Sequence, residues 1–341
     1  MKAIILVGGE GTRLRPLTYE SPKQMLPIVG TPMLEWVLGN LARHGITDVV
    51  LSMGYLPNRF TEAYPSNVVA GIDVTYVVEP RPLDTAGAIR FAALEAGVDD
   101  TFMVVNGDVV SDTDLSALIS FHYQRGGVAT IGTHPVEDPS SFGVVPTFAD
   151  GRVLAFVEKP LRTQATSNMI NAGVYILEPS VLDYIDPGVR VSIEKVTFPR
   201  LVAENLLYAL SDSSYWLDAG TPENFLQASL DILSGRRAMS LMPQLRDGSW
   251  FGESSDVDPS ATVACSAIDR NCRIGKNAVI RNSVLMPGVV VEAGAVVRNS
   301  ILGPNALVGS GAQLGATCVV GGGERVPNGY IHSGGVRIDG A

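Results

Sequence analysis

The chain has 341 residues, enough for about two domains and a full hydrophobic core without a disulfide staple. Lys and Arg number 25 against 35 Asp and Glu, a formal charge of −10, which excludes binding to nucleic acid or an anionic membrane through the overall field. With 18% charged and 46% hydrophobic residues the chain is not disordered, and its 36 glycines, about one residue in ten against a usual ~7%, call for an account.

The opening run Met1–Val7 is apolar but stops at Gly8-Gly9-Glu10 with no small-residue cleavage site, so it reads as a buried first strand, Ala3–Val7. Further strands are predicted at Asp48–Met53, Val74–Glu79 and Phe102–Val105, with helices at Pro32–His44, Thr85–Ala96 and Asp114–Gln124. Strand–helix alternation at this spacing predicts an α/β domain with a mixed, mainly parallel, Rossmann-like sheet. The next stretch is richer in strands: Val128–Ile131, Gly143–Phe148, Val153–Phe156 and Gly173–Leu177. Helices at Ser192–Glu204 and Pro222–Ser234 close the domain, the second with proline at its tolerated first position. No run reaches the ~18 apolar residues of a membrane span. The three cysteines, Cys265, Cys272 and Cys318, form no Cys-x-x-Cys pair, which fits a reducing cytoplasm.

From about Asp247 helical periodicity gives way to a repeat. Arg281-Asn282-Ser283-Val284-Leu285 recurs as Arg298-Asn299-Ser300-Ile301-Leu302, a shift of 17 that also relates Ile274, Val291 and Val308. Within a unit, large aliphatics fall six, six and five apart, as at Ile268, Ile274, Ile280 and Leu285. Each step is one short strand and one corner, and three steps close a triangular coil whose stacked neighbours bury a continuous column. Four clear coils cover Asp247–Leu314, with a fading fifth over Gly315–Ile331. Cys272 and Cys318 share the small slot of Ala278 and read as corner packing. The predicted domains are 1–236 (the α/β domain), 237–246 (linker), 247–332 (coils) and 333–341 (tail).

The strongest chemical signal is Gly8-Gly9-Glu10-Gly11-Thr12-Arg13-Leu14-Arg15-Pro16, followed by Pro22-Lys23. Glycines without side chains let backbone N–H groups approach a phosphate closely. Arg13 adds a planar donor fork and Lys23 a point charge. The spacing matches neither a P-loop nor a dinucleotide-binding fingerprint.

This segment resembles the Gly-Gly-x-Gly-Thr-Arg-Leu…Pro-Lys motif of sugar-1-phosphate nucleotidyltransferases, which join a sugar 1-phosphate to a nucleoside triphosphate (NTP) and release pyrophosphate. The resemblance continues in chain order through Asn106-Gly107-Asp108, Phe142-Gly143-Val144-Val145, Glu158-Lys159-Pro160, Asn171-Ala172-Gly173 and Trp216-Leu217-Asp218-Ala219-Gly220-Thr221. It implies Asp108 and Asp218 as ligands of Mg²⁺, Lys159 on the phosphate of the sugar substrate, and Lys23 between that phosphate and the α-phosphate. Arg13 is implied on the leaving pyrophosphate. Glu158 and Asn171 are implied on sugar hydroxyls, with Gly143 allowing close approach. Gly8, Gly9, Gly11 and Thr12 then belong to the nucleotide, as do Thr85, Ala86 and Gly87 in Pro82-Leu83-Asp84-Thr85-Ala86-Gly87, where guanylyltransferases commonly carry glycine in place of Asp84. If that glycine has positive φ, Asp84 takes the conformation at some cost. A C-terminal left-handed β-helix of hexapeptide repeats is also common in the family.

The pattern around Val191–Lys195 and Tyr215–Phe225 is most similar to bacterial mannose-1-phosphate guanylyltransferases, which implies GTP and mannose 1-phosphate giving GDP-mannose. The alternatives are thymidylyl, uridylyl or adenylyl transfer to glucose 1-phosphate, guanylyl transfer to a sugar-like cyclitol phosphate, and a non-catalytic regulatory relative. The clear coils contain no His, which argues against a second, acyltransferase site and leaves them a role in homo-oligomer contact. His44, His122, His134 and His332 are read as structural.

Overall fold

The computed structural model describes residues 1–237, 245–332 and 337–339. The chain folds into two compact units, residues 1–9 with 34–216, and residues 10–33 with 217–341.

The first unit is built on a ten-stranded sheet. Besides a short edge strand at Val68–Val69 and a short helix at Asn58–Ala63, its elements are β1 (Lys2–Leu6), α1 (Met33–Arg43, of which all but Met33 fall in this unit), β2 (Asp48–Met53), β3 (Ile72–Val78), α2 (Asp84–Glu95), β4 (Phe102–Asn106), α3 (Leu115–Arg125), β5 (Ala129–Pro135), β6 (Gly143–Val144), β7 (Val157–Glu158), β8 (Met169–Leu177), α4 (Phe198–Ala203) and β9 (Leu207–Ser211). Parallel pairing joins β4 to β1, β1 to β2 and β2 to β3, while β8 runs antiparallel to β4. The mixed, mainly parallel sheet is as expected. Strands β1 and β2 read as unbroken apolar runs because helices cover both faces, and Ala3, Ile4, Ile5, Val49, Val50 and Leu51 are all fully buried.

Several predicted boundaries shift. Only Gly143–Val144 of the Gly143–Phe148 prediction joins the sheet, and the strand expected at Val153–Phe156 lies instead at Val157–Glu158, leaving Val153 an isolated bridge to Thr147. The expected Ser192–Glu204 helix is two pieces, a π-helical turn at Ile193–Thr197 and then α4. Pro199 explains the break, since it has no N–H to continue the ladder. Strand β9, absent from the sequence reading, pairs in parallel with β5.

In the second unit α5 (Pro222–Leu233) is capped by Thr221, whose hydroxyl accepts from the Asn224 N–H. The coils follow. Three parallel sheets each receive one short strand per turn, for example Ala267–Ile268, Arg273–Ile274 and Val279–Arg281. Their inward aliphatics, from Ile268 to Val326, form one buried column, with Cys272, Ala278 and Cys318 among the small residues in it. Pairing registers step by 17 up to Ile301 and by 18 afterwards (Ile301 to Val319, Leu307 to Arg325). The fifth coil therefore fades from the sequence repeat because one residue enters its short corner, where Ala316 and Thr317 both have positive φ.

In the 17-residue coils that corner carries a ladder of buried serines. The Ser266, Ser283 and Ser300 N–H groups donate to the hydroxyls of Ser249, Ser266 and Ser283. The expected tail instead contributes Arg337–Ile338, which pairs in parallel with Val319–Val320 and begins a sixth coil. The linker predicted at 237–246 falls largely outside the described residues.

Candidate active site

In the first unit the carboxyl ends of β1, β2 and β3 meet, the place where open α/β sheets bind ligands. Gly8, Gly54 and Glu79 stand there. A Cβ on Gly8 would lie 2.9 Å from Glu79 Oε1, and one on Gly54 would lie 3.0 Å from the Gly8 carbonyl oxygen. Only glycine permits this backbone approach. Glu79 accepts the Leu83 N–H at 3.0 Å. Burial pushes its carboxyl above the usual range, against the pull of that bond, and the charge of Asp84 adds to the push. Sequence reasoning passed over Glu79; its signal was a carboxylate ending a buried parallel strand opposite a glycine loop.

Asp84 opens α2 at φ +61, the left-handed conformation anticipated for it. Its Oδ1 accepts the Thr85 N–H at 2.9 Å, and its Oδ2 lies 3.5 Å from Arg190 Nε. Polar groups of Thr85, Ala86 and Gly87, three of the seven predicted nucleotide residues, face the 189–194 loop. The Thr85 hydroxyl donates to Glu194 and accepts the Ile193 N–H, while the Ala86 and Gly87 N–H groups share the Val191 carbonyl. A Cβ on Gly87 would strike the Val189 carbonyl at 2.9 Å.

Asp108 follows the end of β4. Asn171, Ala172 and Gly173 form a bulge in β8, where pairing to β5 shifts register. The Asn171 side chain fastens it, accepting the Gly173 N–H and donating to the Tyr175 hydroxyl, both at 2.9 Å. Tyr175 is fully buried. Burial first, then the negative charge of Glu194, Glu158 and Asp108, holds its hydroxyl well above its usual 10. Glu158 pairs across to Gly143, and a Cβ there would lie 3.0 Å from Glu158 Oε2. Lys159, at φ +48, places Nζ 3.4 Å from Glu158 Oε1 with the lysine side chain 64% exposed, so the charge stands in solvent within reach of a ligand. Beside this stands an aromatic group. Trp216 stacks on His134, meets Phe142 edge-on and donates from Nε1 to the Ala172 carbonyl. Burial holds the His134 ring below its ordinary 6.5, so it is neutral at pH 7, against the opposing pull of Asp212.

In the second unit Gly11 (φ +62, ψ +34) turns the chain into a short 3₁₀ helix, Thr12–Leu14. Thr18 ties that turn down by donating its hydroxyl to the Gly11 carbonyl at 2.9 Å, and a Cβ on Gly11 would lie 3.3 Å from Lys23 Cβ. The Arg13 guanidinium lies 3.8 Å from Asp218. Both cross Gly220, where a Cβ would stand 2.7 Å from Arg13 Nη2 and 2.8 Å from Asp218 Oδ1. Asp218 is oriented by the Gly220 N–H on Oδ1 and by Asn224, which donates to its carbonyl. The signature loop thus brings Arg13, Lys23 and Asp218 into one unit, and the sheet carries Gly8, Asp108, Gly143, Glu158, Lys159 and Asn171 in the other.

Residues 2–235 match the Nucleotidyl transferase family and residues 238–331 the EIF2B subunit epsilon LbH domain. The chain is 39% identical over 295 residues to a mannose-1-phosphate guanylyltransferase of Mycobacterium tuberculosis, covering 86% of this chain and 81% of that one. It is 40% identical over 270 residues to a mannose-1-phosphate guanyltransferase of Yarrowia lipolytica, covering 77% and 73%. A solved structure from Bacillus anthracis, named for glucose-1-phosphate thymidylyltransferase activity, superposes with a TM-score of 0.63 at 25% identity over 71% of this chain and 97% of that one. The coils are accordingly the left-handed β-helix expected from the repeat.

Proposed function

The chain belongs to the nucleotidyl transferase family, and from that premise we propose that it joins GTP to mannose 1-phosphate, giving GDP-mannose and pyrophosphate. The Mycobacterium tuberculosis and Yarrowia lipolytica relatives carry guanylyl transfer to mannose 1-phosphate in their names. The observation that supports the reading is the Arg13 guanidinium of the glycine-rich loop, 3.8 Å from Asp218 and packed over Gly220, with more than half of its side chain exposed to meet a polyphosphate.

A phosphate oxygen of the sugar substrate attacks the α-phosphorus, and the bond from that phosphorus to the pyrophosphate oxygen breaks. The attacking oxygen is already anionic, so the protein supplies no nucleophile. Its work is positioning and charge stabilisation. Arg13 stabilises the charge that develops on the pyrophosphate, and Lys23 spans the α-phosphate and the sugar phosphate. Lys159 holds the sugar phosphate, while Glu158 accepts from sugar hydroxyls and Asn171 keeps the bulge beside it in shape. Thr85, Ala86 and Gly87 act by fixing the Leu83–Asp84 turn. Glu79, an acceptor-only carboxylate when ionised, complements the adjacent N–H donors of guanine and opposes the ring-nitrogen acceptor of adenine.

Asp108 and Asp218 are the hard oxygen donors assigned to Mg²⁺, an ion usually bound through one or two carboxylates plus substrate phosphates. When bound it supplies neutralisation of phosphate charge. A cytoplasmic setting accords with three free cysteines. Among the described residues no helix is long and apolar enough to cross a membrane. Homo-oligomer contact is assigned to the two five-stranded faces of the β-helix, since the outward residues Ala267, Val284, Ile301 and Val319 of the third face are already buried.

The test is a panel of NTPs against sugar 1-phosphates, read by pyrophosphate release with Mg²⁺. GTP with mannose 1-phosphate should give the highest kcat/KM, and preference for UTP or dTTP overturns the guanylyl assignment. Asp108→Asn should abolish turnover; full activity would remove the metal role.

A further inference from the structure

Four successive carbonyls of the signature loop each have a donor. The Leu14 N–H and the Thr18 hydroxyl meet that of Gly11, the Arg15 N–H meets that of Thr12, and the Leu17 N–H meets that of Leu14. These donors all come from the loop itself. The carbonyl of Arg13 is met from far away in sequence, by Arg337 Nη2 at 2.7 Å. A charged donor on a backbone carbonyl is a short, strong hydrogen bond. Arg337 sits on the strand Arg337–Ile338 that begins the sixth coil of the β-helix.

Three other contacts bind the same segment to the coils. The Tyr19 hydroxyl donates to Asp339 Oδ2 at 3.4 Å. Gly321 lies against Pro16, and a Cβ there would come within 3.3 Å of the proline ring. At the far end, the turn at Val29-Gly30 lies against the Trp250 indole of the first coil, where a Cβ on Gly30 would overlap the ring. The segment from Arg13 to Gly30 is therefore fastened at both ends to the β-helix, by its first and its last coils.

We propose that the last coil of the β-helix is part of the working active site, with Arg337 as the positioning residue that holds the Arg13 turn of the signature loop. This goes beyond an oligomerisation role for the coils and rests on the assignment of Arg13 to the pyrophosphate. Arg337 touches no substrate. It fixes the backbone from which the Arg13 side chain projects.

The experiment compares Arg337→Ala, Arg337→Met, Arg337→Lys and Arg13→Ala in the full chain. Two readouts are used: steady-state kinetics with both substrates, and hydrogen exchange of the peptide spanning residues 8–18. Arg337→Ala and Arg337→Met should lower kcat/KM for the NTP about tenfold and leave KM for the sugar 1-phosphate within twofold. Exchange at Leu14 and Arg15 should quicken at least tenfold. Arg337→Lys, which still donates to a carbonyl, should restore both readouts to within threefold. Unchanged kinetics and exchange in the first two variants overturn the proposal. So does a loss that Lys fails to rescue. If Arg337→Ala does not fold, Arg337→Met, similar in length but without a donor, carries the test. Full activity in Arg13→Ala overturns the catalytic reading of Arg13, while the exchange result still decides whether Arg337 holds the loop.

Discussion

Gly220→Ala is the sharpest perturbation of the candidate site, because it adds one methyl group between two charged side chains. The new Cβ would stand 2.7 Å from Arg13 Nη2 and 2.8 Å from Asp218 Oδ1, so reaching an ordinary contact of 3.4 Å requires displacements of about 0.7 and 0.6 Å. The φ of Gly220 is not positive, so alanine meets no backbone strain. Asp218 is tied by the Gly220 N–H and, through its carbonyl, by Asn224, and Arg13 is 59% exposed. The guanidinium therefore yields more readily than the carboxylate. Misplacing a transition-state contact by about 1 Å costs up to ~10²-fold, so a loss of roughly 10- to 100-fold in kcat is expected, equivalent to about 1.4–2.7 kcal/mol. Pyrophosphate release at saturating GTP and mannose 1-phosphate measures it, with a melting curve alongside to show an intact fold. Activity within twofold of the parent, with the melting temperature unchanged, would refute the claim that Arg13 must stand at this point.

Three further outcomes are expected. Arg190→Ala should unmask the negative charge of Asp84 beside the nucleotide and raise KM for GTP roughly threefold at low salt, the scale of an exposed ion pair; Asp84→Gly in the same background should reverse it, and additive effects in that cycle would contradict the pairing. His134 is held below its ordinary 6.5, so on acidification the unfolded chain takes up its proton first and stability falls as the pH drops below about 6.5; His134→Gln should flatten the melting temperature between pH 7 and 5.5, and an unaltered slope would rule out this histidine as the cause. Ser283→Ala removes the acceptor of the buried Ser300 N–H and the donor to the Arg281 carbonyl, so urea unfolding should show a loss of about 1–3 kcal/mol; no measurable loss would mean the serine ladder is energetically idle.

Local pattern carried much of the architecture into view. Strands β1 and β2 were readable because each is a continuous apolar run buried on both faces, and the coils because the same slot recurs every 17 residues. The left-handed corners were only half visible as glycines. One slot is filled in turn by Asn271, Gly288, Asn305 and Gly323, since asparagine also tolerates positive φ. Strand β9 escaped because its five residues, Leu207–Ser211, carry Tyr208 and Leu210 at the less buried positions and so show no polar–apolar alternation. In the site, the glycines and charged residues stood out as motif letters, as did Trp216 and Phe142, whereas Glu79 and the packing of Trp216 against His134 and Phe142 emerge only when strand ends and loops converge. The fastening of residues 10–33 to the coils had no local signal at all.

The hydrogen bond from Arg337 to Arg13 spans 324 residues of chain. On the ribosome, at roughly 5–20 residues per second, the Arg13 turn is therefore made about 16–65 s before its last donor exists. During that interval a nascent polypeptide can already have folded its sheet and still lack a settled signature loop. On the proposal above, full turnover then waits for the sixth coil, and a message truncated before codon 337 would yield a slower enzyme whose most recognisable motif is present and unbraced.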